Sequence, residues 1–189
     1  MYQDIVVLAV LAEKPAHGYE IKRRLAETFG GWAELNNNTL YPALRRFSES
    51  GAVTKVEEPQ AGRPTRHTYT LTKPGHRLLR DLLVDFGADL AVRKEEFLTR
   101  VALFALLQPA ERHMVLEARA RALQELVTHL ESLHEEVAMG RITTYDTTED
   151  RAKARPWARM VLEHRLSEVR HEQAWVRVLG EDAPARSRS

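Results

Sequence analysis

Residues 53–71 carry the chain's strand signal, and almost everything around them reads as helix. Residues 53–58 and 65–71 are rich in Val, Thr and Tyr, and Pro59-Gln-Ala-Gly-Arg-Pro64 between them is turn material. The pattern predicts one β-hairpin with a basic tip. Whatever the chain folds into must set that hairpin among helices.

Three helical patterns precede it. Ile5, Leu8, Ala9 and Ala12 form a stripe after a possible Asp4 cap, and Lys14-Pro15 ends it because the residue before a proline avoids the helical region. Gly18 opens a second pattern, Ile21, Leu25 and Phe29, which stops at Gly30-Gly31. After a loop over 32–38, Leu40, Leu44 and Phe47 fall at i, i+4 and i+7 with Pro42 among them. With Thr39 as N-cap, Pro42 occupies N3, where a missing N–H costs little, and Gly51 follows as the left-handed cap. Beyond the hairpin, Thr72-Lys-Pro-Gly restarts a helix whose apolar positions Leu78, Leu79, Leu82, Leu83, Phe86 and Leu90 carry it past Gly87.

Three helices, a hairpin and a flanking helix, in that order, predict a winged helix-turn-helix. With Leu40, Leu44 and Phe47 inside, the third helix presents Asn38, Pro42 and Arg45, flanked by Tyr41 and Arg46, with Glu49 at its far end. Arg pairs with guanine O6 and N7, Asn with adenine, and an aromatic or Pro meets a thymine methyl. Thr39 and the free N–H groups of the helix start suit phosphate, and Arg63 and Arg66 on the wing are placed to grip the backbone. Charge agrees: the net formal charge is only +1, yet residues 39–80 hold eight basic and three acidic side chains. Such a local basic excess is the footprint of a polyanion partner. The rival reading is a winged domain that binds protein, which an apolar or acidic third helix would favour.

From residue 88 on the chain reads as all helix. Leu116, Ala120, Leu123, Val127, Leu130 and Val137 alternate spacings of four and three, as do Leu162, Leu166, Val169 and Val176. These seams predict a homodimer, with Leu162, Leu166, Val169 and Val176 at its interface and a palindromic operator to match. The expected organisation is a DNA-binding domain over 1–87, a helical dimerisation and effector domain over 88–180, and a disordered tail over 181–189. Residues 141–153 read as a surface loop.

Other functions find little support. There is no cysteine, and the apolar runs 5–12 and 101–107 are too short to span a bilayer, so a cytoplasmic protein without membrane contact is expected. No phosphate loop or nucleophile motif suggests an enzyme or a cofactor. His164, Glu168 and His171 share a helix face but lack the second cluster a metal site needs. Trp157 and Trp175 are candidate contacts for a flat small-molecule effector.

The stretches LAEKPAHGYEIKRRL, NNNTLYPALRRFSESGAV and AGRPTRHTYTLTKPGHRLL, followed by a helical half, resemble the PadR family of transcriptional regulators in its longer subfamily with a multi-helix C-terminal domain. The matching signatures are residues 39–44, 17–20, 62–64 and 71–75. The resemblance implies a homodimeric winged-helix repressor released by a small-molecule or stress signal. Asn36-Asn37-Asn38 replaces the family's Ser-Pro-Gly-like approach to the third helix.

Overall fold

The computed structural model describes residues 2–29, 35–58, 66–141 and 147–182, which group into two compact units, Met1–Glu111 and Arg112–Ser189. At the centre of the first lies α1 (Tyr2–Glu13). It packs on α2 (Gly18–Phe29), α3 (Asn37–Glu49) and α4 (Lys73–Val84), and every side chain from 5 to 11 is buried. The expected single stripe understated it, because a helix apolar on all sides is a core helix. Asp4 is not its cap; it sits in the first turn and pairs with Arg46.

The hairpin forms as expected from β2 (Val53–Glu58) and β3 (Arg66–Leu71), paired antiparallel with Val53 opposite Leu71 and Glu58 opposite Arg66. Alternation turns Tyr69 and Leu71 into the core. A third strand, β1 (Ala16–His17), adds to the free edge of β3, giving the order β1-β3-β2. Two residues between Pro15 and Gly18 are too few to show a period. The wing tip, with Arg63, lies outside the described residues.

α3 starts earlier than Thr39. Asn36 is the cap: its side-chain oxygen accepts the Thr39 N–H at 3.0 Å and the Thr39 hydroxyl at 3.1 Å, while its carbonyl accepts Leu40 N–H at 3.0 Å. Any of three consecutive asparagines could cap, and the first one does. Pro42 therefore stands at the sixth helical position, not the third, and the Asn38 carbonyl loses the N–H it would otherwise receive. Burial of Leu40, Ala43, Leu44 and Phe47 holds the helix through it. The far end is as expected, with Gly51 left-handed at φ 73°.

α4 begins on Thr72, whose hydroxyl accepts the Gly75 N–H at 3.1 Å and donates to the Gly51 carbonyl at 2.7 Å. Gly75 is required there, since a Cβ would lie 2.1 Å from the Ala52 carbonyl oxygen. The helix does not run past Gly87 but stops at Val84. The cause is Arg100 on α6 (Lys94–Ala102), fully buried, which donates to the carbonyls of Leu82, Leu83 and Asp85 at 3.0–3.2 Å and so takes acceptors a longer helix would fill. Its charge is answered by Glu96 at 2.7 Å and by the Phe86 ring, 4.5 Å away. A short α5 (Ala88–Ala91) and a 3-10 turn over Phe104–Leu106 complete the unit. The compact unit thus extends to Glu111, beyond the expected boundary at 87.

The second unit is built on α7 (Pro109–Ala138) and α8 (Thr148–Asp182). Bridges Arg119–Glu172, Gln124–Gln173, Glu131–Arg170 and His134–Glu163 run in opposite senses along the two helices, an antiparallel pair. Both apolar seams are largely covered within the chain: Leu116, Leu123, Val127, Leu130 and Val137 are buried on α7, where Ala120 is exposed, and Leu166, Val169 and Val176 are buried on α8, where Leu162 is half-buried. Two expected boundaries move. α8 starts inside the expected loop, where the Thr147 hydroxyl accepts the Asp150 N–H at 3.1 Å, and it includes Glu181 and Asp182, which the expected tail had claimed. Residues 183–189 lie outside the described ones.

Candidate nucleic-acid interface

Because the cap is Asn36, the exposed end of α3 holds Asn37, Asn38, Tyr41, Pro42 and Arg45, with Thr39 half-buried. Asn36 takes the Thr39 N–H, so only the first N–H groups of α3, those of Asn37 and Asn38, lack an acceptor four residues back, and this end is partly positive. Arg45 carries no ion pair among the described residues. Arg46, expected beside it as a DNA contact, is exposed but held by Asp4 of α1, and its guanidinium lies 5.2 Å from the Phe47 ring centre. Arg66 at the wing's base is exposed and without an ion pair among the described residues.

Between α3 and the sheet lies an open cleft of about 460 Å³, formed by the start of α2, His17 of β1, Tyr41 of α3, and Arg66, His67 and Tyr69 of β3. Gly18 makes it possible: a Cβ there would come within 2.9 Å of the Tyr41 ring and hydroxyl. Tyr41 thus rests on the start of α2. From α2 the cleft receives Tyr19, 79% exposed, and Arg23, whose nearest carboxylates are Glu27 at 3.6 Å and Glu20 at 3.9 Å. Glu20 is bonded by Arg24, which holds its carboxyl below the usual range. Burial, then the neighbouring Tyr41, pushes the Tyr69 phenol up. His67 Nδ1 is buried, makes no hydrogen bond among the described residues, and lies 3.7 Å from Glu57.

Sequence reasoning put Tyr41 and Arg66 at the interface but had no reason to bring Tyr19, Arg23 and His67 to them. The one local hint is the glycine at 18, whose need comes from a ring 23 positions later.

The C-terminal candidates separate. Leu166, Val169 and Val176 face the chain's own seam and Leu162 is half-buried, whereas Trp157, Met160 and Val161, on another face of α8, are exposed. Trp157 and the half-buried Trp175 are 18 residues apart on one helix, about 27 Å, so one chain does not bring them to a common ligand. His164 lies 3.8 Å from Glu168. Among the described residues no three His, Cys, Asp or Glu side chains converge as a metal site would need, and no helix is long and apolar enough to cross a membrane.

Residues 7–81 match the family described as "Transcriptional regulator PadR-like family". The negative transcriptional regulator PadR of Bacillus subtilis is 22% identical over 131 residues, 69% of this chain and 72% of that protein. Among solved structures, Bacillus subtilis PadR in complex with operator DNA aligns at 18% identity over 92% of this chain and 98% of that one, with a TM-score of 0.43. A PadR family transcription regulator from hypervirulent Clostridium difficile aligns at 26% identity over 46% and 88%, with a TM-score of 0.39.

Proposed function

The chain belongs, through residues 7–81, to the PadR-like family of transcriptional regulators, and from that premise we propose that it is a homodimeric repressor that reads a palindromic operator with the exposed end of α3. The observation that carries this reading is the exposed helix start with Asn38, Pro42 and Arg45, the last without an ion pair among the described residues, on one exposed face. Asn38 and Arg45 offer the donor sets for adenine and guanine edges, and the Asn37 and Asn38 N–H groups offer phosphate contacts, which Thr39 joins only by giving up its bonds to Asn36. Arg63 and Arg66 hold backbone, and Arg46 adds positive field more than a contact because Asp4 engages it.

In this reading DNA binding falls to the first unit, which takes in residues 88–111 beyond the expected 1–87, and dimerisation to the rest of 88–180. Leu162, Leu166, Val169 and Val176 serve the dimer by closing the α7–α8 pair; the contact itself falls to the apolar face at Trp157, Met160 and Val161, which a single chain leaves bare. Two copies related by a twofold axis present two α3 ends to half-sites about 10 base pairs, or a multiple, apart. A small-molecule signal acts by favouring one separation of those ends over another, with Trp157 as its aromatic contact.

The test is a gel-shift titration against the duplex that full-length protein selects from a random library, beside a scrambled duplex. Arg45→Ala is expected to lose about 1 to 3 kcal/mol on the selected duplex and to relax base preference. Arg63→Ala should weaken both duplexes alike and flatten the salt dependence. Equal affinity of the unmodified protein for both duplexes would remove the repressor reading and leave the protein-binding module as the alternative.

A further inference from the structure

The cleft between α2, α3 and β3 is richer in donors than base reading requires. Arg23 and Arg66 bring guanidinium groups, and Tyr19 and Tyr41 bring phenol hydroxyls. Its one carboxylate, Glu20, is occupied by Arg24. Two guanidinium groups beside hydroxyls that can turn to donate, with the carboxylate already held by an arginine, suit a ligand that carries negative charge and accepts. A base edge, which presents donors and acceptors together, fits it poorly. The cleft is also open, as it must be for a group whose chain continues on both sides.

We infer that this cleft holds one phosphodiester group of the DNA backbone, and that Tyr41 is a backbone holder and not a base reader. The inference rests on the DNA-binding reading above and revises one part of it, since Tyr41 stands on the α3 end beside Arg45. Its ring rests on Gly18 and so points its hydroxyl toward α2 and β3, where the two arginines are. A phosphate held there is gripped from α2, α3 and the sheet together, which fixes how α3 sits in the groove without reading any base. Tyr19 and Arg23 of α2 thereby join the interface. Glu57, 3.7 Å from His67, lies on the sheet side and pairs with Lys55 at 3.5 Å.

The experiment uses full-length protein and the two duplexes already named. Tyr41→Phe should weaken selected and scrambled duplexes by the same factor, about tenfold, the scale of one hydrogen bond to a charged acceptor. Arg23→Gln and Arg66→Gln should each reduce the slope of log affinity against log salt by about one unit per protomer. Gly18→Ala, which pushes the Tyr41 ring off its seat, should reproduce the Tyr41→Phe loss with an unchanged melting temperature. Backbone ethylation of the selected duplex should interfere at one phosphate fewer per half-site with Tyr41→Phe than with the unmodified protein. A Tyr41→Phe protein that binds both duplexes normally, or that changes the ratio between them, overturns the inference, as does an unchanged salt slope for Arg23→Gln. An unmodified protein that binds no duplex at low salt overturns the DNA-binding reading itself, and the phosphate site with it.

Discussion

α1 and α8 solve opposite problems. α1 has 12 residues, and all of 5 to 11 are buried; α8 has 35, and its buried apolar side chains are Leu166, Val169 and Val176. The first unit is organised around a core that reaches every element, so its surface is released for contacts with something else. The second spends its apolar residues on a single seam between two helices and still leaves Trp157, 69% exposed, with Met160 and Val161 in water. A complete core makes a domain, whereas a seam with a bare strip beside it leaves apolar surface that the proposed dimer would cover.

The sharpest way to break this comparison is Arg100→Ala. It would leave the Glu96 carboxylate buried without its partner and three carbonyls at the end of α4 without donors. A loss of about 3 to 5 kcal/mol is expected for the whole first unit in urea unfolding followed by circular dichroism. Hydrogen exchange would show where the loss falls. Selective exposure of residues after 87, with α1 still protected, would return the boundary to 87.

Next in size is Trp157→Glu, which tests the second unit's incompleteness. Association, read by sedimentation equilibrium, should weaken by about 2 kcal/mol, while the unfolding midpoint at dilution that already separates the chains stays within about 0.5 kcal/mol. Equal weakening of both measurements would mean that Trp157 belongs to the chain's own core.

The smallest effect is a pH dependence confined to the α7–α8 pair. Hydrogen bonds from His134 and then Arg159 hold the Glu163 carboxyl below its ordinary range. A depressed carboxylate contributes stability that is present above its unfolded value and is lost as pH falls through the folded one. Melting of the second unit should therefore drop on acidification through the carboxylate range, and Glu163→Gln should make that drop shallower. Identical pH profiles for the two proteins would show that the pair contributes nothing.

The two units were also unequally legible. Local punctuation was reliable wherever the agent that ended an element was adjacent to it. Gly18 opens α2, Gly51 closes α3, and the two strands expected on either side of 59–64 pair as a hairpin. It failed where the agent is remote: α4 stops because of Arg100, which no window around Gly87 contains. The α3 start was lost to redundancy, since three asparagines in a row each had the chemistry of a cap. In the second unit the period marked the buried seam but could not name its mate, because a seam at spacings of four and three looks the same whether its mate is the next helix or another copy. The phosphate cleft was invisible for a simpler reason. It is assembled from four separate elements, and only their packing makes them neighbours.

Pro42 has a consequence for hydration. The Asn38 carbonyl, in an exposed turn of α3, has no N–H four residues on to receive, so in the free protein it keeps the company of solvent. Any surface that covers this turn must bring a donor to that oxygen or leave a bridging water in place, because stripping it bare costs about 1 to 3 kcal/mol. The proline thus makes the turn wet by construction, and partners are sorted by whether they can live with that water.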